Sequence, residues 1–111
     1  FEDADQENAL NGITAGIFGA SGQSCIAGSR LYLQKNIYNS FLEKLANRAN
    51  KIKLGSPMDP DTQMGPLSSL KQLEIIEKNI KLTVDQGGKI KCGGKRHSLY
   101  NKGYYCPATI I

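Results

Sequence analysis

The first candidates for chemistry in this chain are its three cysteines and its one histidine. Cys25, Cys92 and Cys106 lie far apart without a short Cys-x-x-Cys pair, and His97 is isolated. Structural zinc sites usually need four ligands in close pairs, so this set predicts no metal site. An odd number of cysteines and no signal peptide favour free thiols over disulfides. Each cysteine is therefore either a small buried residue or a reactive thiol.

Cys25 has the surroundings of a reactive thiol. It lies in a stretch of Gly, Ser and Ala residues between a predicted helix and a predicted strand. A turn of small residues exposes the thiol, and its backbone N–H groups can point at a nearby oxyanion. Neighbours must lower the thiol pKa from about 8.5 for efficient attack at neutral pH. Cys92 and Cys106 are interpreted as packing residues, and His97 as a solvated surface side chain.

Apolar residues at three- and four-residue spacing predict a first helix over residues 5–19. Its N-cap is either Asp5 or Asp3, the latter in a capping box with Gln6. Asn36 is the predicted N-cap of a second helix. The predicted buried faces of these two helices contain Ala9, Leu10, Ile13, Ile17, Phe18, Phe41, Leu42, Leu45, Ala49 and Ile52.

A third helix is predicted to begin at Ser68 or Ser69 and to stop at Gly87. Short strands are predicted over residues 30–34 and 89–92, and an extended stretch over residues 104–111. Helices alternating with strands indicate an α/β fold, a layered structure with a mostly parallel sheet. Apolar residues at both ends of the chain suggest an incomplete slice of a larger sheet.

Length and composition limit the class of protein. A chain of 111 residues with 40% hydrophobic and 22% charged residues is typical of one globular domain. No apolar run approaches the roughly 20 residues of a membrane span, so no membrane association is predicted. The net charge is +4, but no cluster of basic and aromatic residues predicts nucleic-acid binding. The chain does not begin with Met, which predicts a segment of a longer protein.

Residues 16–30 resemble the cysteine signature of the aldehyde dehydrogenase superfamily. That signature is an Ala/Gly-rich helix, then Gly-Gln-x-Cys, a turn of small residues and an Arg; here Gly22, Gln23, Cys25 and Arg30 match. Three further segments are similar to the family in the expected order: residues 1–5, the pair 55–60 and 64–67, and residues 103–109. The resemblance covers essentially the whole chain.

The resemblance implies NAD(P)-dependent oxidation of a small aldehyde to a carboxylic acid. Cys25 would attack the carbonyl, forming a thiohemiacetal and then a thioester, with its backbone N–H as one oxyanion donor. The implied fold is a three-layer αβα sandwich, with residues 1–111 forming part of the catalytic domain. The cofactor, NAD or NADP, would be bound mainly by segments outside this chain, as would the general-base Glu and an oxyanion-binding Asn. The chain alone is therefore expected to be inactive.

The resemblance also implies roles for the neighbours of Cys25. Phe18, Ser24 and Ile26 would line the substrate site. Gly22, Gln23 and Arg30 would structure the loop, Arg30 through backbone carbonyls; Gln23 is either a loop-shaping hydrogen-bonding residue or merely exposed. The expected partners are the aldehyde, the rest of the parent chain and further copies in a homodimer or homotetramer, in the cytoplasm.

Two other functional classes stay open from the sequence. The first is a noncatalytic binding or structural relative that keeps the fold but has lost the catalytic activity. The second is a thiol acyl-transferase that uses Cys25 without a cofactor, which ranks lower because no His lies near Cys25 in the sequence.

Overall fold

The computed structural model describes residues 1–96 and 102–111. These residues form three α-helices: α1 (Gln6–Phe18), α2 (Tyr38–Asn50) and α3 (Leu70–Asp85). A 3₁₀ turn at Gly19–Gly22 follows α1, and a second at Lys35–Ile37 precedes α2. No helix within these ranges is long and apolar enough to cross a membrane.

Polar caps define the starts of two helices. The Asp5 side chain accepts a hydrogen bond from the Asn8 N–H at 3.0 Å and caps α1. The Ser69 hydroxyl accepts one from the Gln72 N–H at 3.2 Å and caps α3. Each cap satisfies an N–H that has no partner within the helix. The structure thus selects Asp5 over the Asp3 capping box, and Ser69 over Ser68.

The predicted cap of α2 at Asn36 was wrong. Ile37 is the N-cap of α2, and no side chain caps this helix. Asn36 lies in the preceding 3₁₀ turn, where its amide donates to the Glu2 carboxylate at 3.3 Å. A contact with a residue distant in sequence therefore replaces the local cap. The end of α3 agrees with the prediction, because Gly87 adopts a φ of +97° and its N–H bonds the Val84 carbonyl at 2.9 Å.

The hydrophobic core has two parts that meet at α1. In the smaller part, Leu10 of α1 packs with Phe41 and Leu45 of α2. In the larger part, Phe18 at the end of α1 packs with side chains from α2 and from the connecting segments. These are Ala49, Leu54, Met64, Cys92, Tyr105 and Ala108. The residue immediately before the 3₁₀ turn is thus fixed in the core, which anchors the start of the Cys25 loop.

The predicted strands do not form ladders within the described residues. Residues 30–34 are assigned no secondary structure and form no bridge with another described segment. Residues 89–92 and 104–111 meet in one isolated antiparallel bridge, Cys92 with Ile110, and a parallel bridge joins Leu54 to Met64. A strand exists only where a neighbouring backbone supplies a run of hydrogen bonds, and these segments form no more than isolated bridges. The predicted strands are corrected accordingly, and the αβα sandwich stays a prediction.

Candidate active site around Cys25

Cys25 lies in an exposed loop between α1 and α2. We call residues 19–30 the cysteine loop. The Ala27 N–H bonds the Ser24 carbonyl at 3.1 Å, and the Ser24 hydroxyl accepts from the Ile26 N–H at 3.4 Å. These two bonds close a tight turn around Cys25, whose thiol is free and exposed. The turn presents the thiol and the backbone around it to solvent.

Three consecutive residues before Cys25 have left-handed backbone conformations. The φ angles are +50° at Ala20, +55° at Ser21 and +72° at Gly22. The left-handed conformation costs a non-glycine residue roughly 1–2 kcal/mol, and such strain is maintained only where the surroundings enforce it. The left-handed turn ends α1 abruptly and redirects the chain towards Cys25.

Gly22→Ala is expected to destabilise this turn. A Cβ at position 22 would lie 3.1 Å from the Ile17 carbonyl oxygen, and the φ there is +72°. Both the close contact and the positive φ disfavour Ala, so we expect a loss of about 1–2 kcal/mol. A lower urea midpoint of the whole protein would show it. Gly28→Ala is the matched control, because a Cβ there has nothing within 4 Å; equal losses at the two positions would contradict the prediction.

Two side chains attach the cysteine loop to the segment before α3. The Ser21 hydroxyl donates to the Gly65 carbonyl at 2.9 Å. The Gln23 side-chain oxygen accepts from the Ser68 N–H at 3.0 Å. The sequence left open whether Gln23 shapes the loop or is exposed; the side chain is exposed and makes this hydrogen bond. Sequence reasoning missed Ser21, because its partner lies 44 residues away.

The three residues predicted to line a substrate site lie in different environments. Ser24 and Ile26 are exposed on either side of Cys25, and Ile26 is 86% exposed. Phe18 is only 9% exposed and belongs to the larger core cluster. Ser24 and Ile26 therefore share a surface with the thiol, whereas Phe18 supports the loop from inside. The substrate-lining roles stay predictions.

Arg30 and Gly22 were predicted to structure the loop. The Arg30 side chain is exposed and makes no hydrogen bond or ion pair with residues 1–96 or 102–111, so its role in orienting the turn stays a prediction. Gly22 occupies the last left-handed position, next to the Ile17 carbonyl. The loop returns to α1 through a hydrogen bond from the Gly28 N–H to the Gly16 carbonyl at 3.2 Å.

The sequence matches a known family over its full length. The sequence model of the aldehyde dehydrogenase family matches residues 1–111. The chain belongs to the aldehyde dehydrogenase family. It is 46% identical over 111 residues to (Z)-2-((N-methylformamido)methylene)-5-hydroxybutyrolactone dehydrogenase of Acinetobacter baylyi, covering 100% of this chain and 22% of that protein. It is 40% identical over 113 residues to betaine aldehyde dehydrogenase of Mesorhizobium japonicum, covering 100% and 23%.

Solved aldehyde dehydrogenase structures have the same fold over this segment. PnpE from Pseudomonas sp. WBC-3 superposes with a TM-score of 0.95 at 45% identity, over 98% of this chain and 23% of that one. The NAD⁺ complex of aldehyde dehydrogenase from Bacillus cereus gives a TM-score of 0.92 at 39% identity, over 98% and 22%. The chain spans somewhat more than a fifth of the length of these relatives, and it shares their α/β fold class.

The other two thiols of this aldehyde dehydrogenase segment are held in less reactive surroundings. Cys92 is buried in the larger core cluster, as predicted. Burial raises its pKa, although a backbone hydrogen bond from Ile110 lowers it in part. Cys106 is half-buried, and burial raises its pKa. A hydrogen bond with Thr109 lowers this pKa in part, whereas the nearby Glu77 carboxylate raises it further. His97 lies outside the described residues.

Iodoacetamide is expected to alkylate Cys25 first. The thiolate is the reacting form, and a raised pKa moves the increase in alkylation rate to higher pH for Cys92 and Cys106. Burial also restricts access of the reagent to these two thiols. Between pH 7 and 8, we therefore expect Cys25 to react faster than either Cys92 or Cys106. Peptide mass spectrometry of the whole protein measures all three rates, and equal rates would contradict this account.

Metal and dinucleotide sites are not built by the described residues. Within residues 1–96 and 102–111, no three His, Cys, Asp or Glu side chains come together. Of the glycines that flank Cys25, Gly22 lies in the left-handed turn and Gly28 lies in a segment without secondary structure. A dinucleotide cradle instead needs a paired strand followed by a helix N-terminus. The described residues around Cys25 do not form such a cradle, and binding of NAD(P) by other segments stays a prediction.

Proposed function

We propose that this chain carries the nucleophilic thiol of an NAD(P)-dependent aldehyde dehydrogenase that oxidises an aldehyde to a carboxylic acid. One observation supports the proposal above all others: of the three free thiols, Cys25 alone is exposed, and it lies in the family's cysteine signature. A nucleophilic thiol must reach the substrate carbon, which buried thiols do not do. The known relatives and the NAD⁺ complex named above support the reaction class and the cofactor.

The proposed chemistry begins with attack of the Cys25 thiolate on the aldehyde carbon. A C–S bond forms, the carbonyl π bond breaks, and its electron pair moves to the oxygen as an oxyanion. The Cys25 backbone N–H is well suited to stabilise this charge, because it donates no hydrogen bond to any described residue. A preorganised donor of this kind contributes about 3–4 kcal/mol to catalysis.

When bound by other segments of the protein, NAD(P)⁺ would supply the hydride acceptor that converts the thiohemiacetal on Cys25 into a thioester. Water adds to the thioester carbonyl, the C–S bond breaks, and the carboxylic acid leaves with the thiol regenerated. Aldehyde, water and oxidised cofactor are consumed, and the acid, reduced cofactor and one proton are produced, so atoms and electrons balance.

The remainder of the parent protein completes the site in this proposal. It supplies the general base, the second oxyanion donor and the cofactor domain. It also supplies neighbouring strands for the extended segments, which would complete a three-layer αβα sandwich. Exposed apolar side chains on these segments support this part of the proposal, among them Leu31 at 43%, Tyr32 at 88% and Ile111 at 43% exposure. We place the parent in the cytoplasm as a homodimer or homotetramer.

Cofactor reduction tests the proposed function. The whole protein is mixed with NAD⁺ or NADP⁺ and a panel of aldehydes that includes betaine aldehyde, and formation of the reduced cofactor is followed. We expect turnover with at least one aldehyde, together with an equivalent amount of carboxylic acid. A folded protein that reduces neither cofactor with any aldehyde would contradict the proposal and favour the noncatalytic relative. Residues 1–111 alone are expected to show no turnover.

A further inference from the structure

The cysteine loop contains a strained turn that its own sequence does not favour. Ala20 and Ser21 both have positive φ angles, yet neither is a residue type that readily adopts them. Such a conformation persists only where contacts from outside the turn select it. The contacts made by Ser21 therefore determine the direction in which the chain enters Cys25.

Packing alone does not hold the turn. A cavity of about 240 Å³ lies against Ser21 and Gly22. Ser21 is only partly buried and Gly22 is exposed, although Phe18 just before them belongs to the larger core cluster. Hydrogen bonds therefore add to the constraint on the turn, and the bond to the Gly65 carbonyl is made by the side chain of the strained Ser21.

The acceptor of this bond is itself firmly held. Met64, one residue before Gly65, is buried and forms the bridge with Leu54. Leu67, two residues after Gly65, is also buried, and its N–H bonds the Tyr104 carbonyl at 2.9 Å. The Gly65 carbonyl therefore has a fixed position, and the hydrogen bond to it orients the Ser21 hydroxyl.

We propose that Ser21 is a positioning residue for the Cys25 nucleophile. Its hydroxyl fixes the left-handed turn to the Gly65 carbonyl, and the turn sets the position of the thiol four residues later. The inference rests on the proposed function, because it assigns Ser21 a role only if Cys25 attacks the substrate. Without the bond the turn relaxes towards right-handed conformations, and the thiol moves away from its attack geometry.

Kinetics of the whole protein test this role. Ser21→Ala keeps the Cβ and removes only the hydroxyl, so we expect kcat to fall by about 10- to 100-fold, as for small displacements of a reacting group, with KM nearly unchanged. Ser56→Ala is the matched control: the Ser56 hydroxyl accepts a hydrogen bond from the Met58 N–H at 3.3 Å in a separate turn. It also loses a hydrogen bond between a Ser hydroxyl and the backbone, and it should keep wild-type kcat. If Ser21 had a merely structural role, Ser21→Ala would lower the urea midpoint but would not lower kcat at a nearly unchanged KM.

A second variant keeps the inference testable if Ser21→Ala folds poorly. Ser21→Gly adopts a positive φ without strain but also lacks the hydroxyl, so we expect the same loss of kcat. A kcat of Ser21→Gly equal to that of Ser56→Ala would overturn the inference, however Ser21→Ala behaves. Cys25→Ala in the same experiment separates the two claims. If Cys25→Ala keeps full activity, the proposed function fails; if it is inactive while Ser21→Gly is fully active, only the positioning role fails.

Discussion

Cys25→Ala is expected to lower kcat for aldehyde oxidation by the whole protein by a factor of about 10⁴ or more. The substitution removes the atom that forms the covalent intermediate, and loss of a nucleophile in a covalent enzyme typically has effects of this size. Because the Cys25 side chain is exposed, its truncation leaves no cavity and should not change the urea midpoint. Reduced-cofactor formation, measured alongside unfolding, checks both expectations.

Cys106→Ala is the matched control for this variant. It removes a thiol of the same kind from a half-buried position whose raised pKa makes it a poor nucleophile. We expect its kcat to stay within about twofold of wild type. If Cys106→Ala abolished activity while Cys25→Ala did not, the nucleophile would be wrongly assigned.

Phe18→Ala is expected to destabilise the protein by about 3–5 kcal/mol, the usual cost of truncating a buried Phe. Phe18 is 9% exposed and packs in the larger core cluster, so its removal leaves a cavity directly beneath the cysteine loop. The urea midpoint of the whole protein should fall accordingly. Because the loop begins at the next residue, kcat should fall as well.

Ile26→Ala is the control variant for Phe18→Ala. The Ile26 side chain is 86% exposed, so its truncation should leave the urea midpoint unchanged. As a residue predicted to face the aldehyde, it should instead raise KM for apolar aldehydes. If Phe18→Ala left stability intact and altered only KM, Phe18 would be a substrate-lining residue and not part of the core.

The helices could be predicted from the sequence because their determinants are local. Apolar spacing located all three, and the caps Asp5 and Ser69 act on N–H groups three residues away. The predicted cap at Asn36 failed because that side chain bonds Glu2, 34 residues away. The predicted strands failed for a related reason: residues 30–34 have the composition of a strand, but pairing depends on a neighbouring backbone.

The candidate site shows the same division between local and distant determinants. Cys25 and Gln23 could be identified from short motifs around them. Ser21 could not, because neither its left-handed φ nor its bond to the Gly65 carbonyl leaves a signal in the nearby sequence. Phe18 was assigned to the substrate site by resemblance, whereas its burial follows from tertiary packing.

The most direct test of the central claim is to trap the acyl intermediate on Cys25. The whole protein is mixed with cofactor and an aldehyde that it oxidises, quenched with acid during turnover, digested and analysed by mass spectrometry. The account predicts that the peptide containing Cys25 carries the acyl group of that aldehyde, and that hydroxylamine removes it. A protein that turns over while Cys25 carries no acyl group, or that carries it on another residue, would contradict the account.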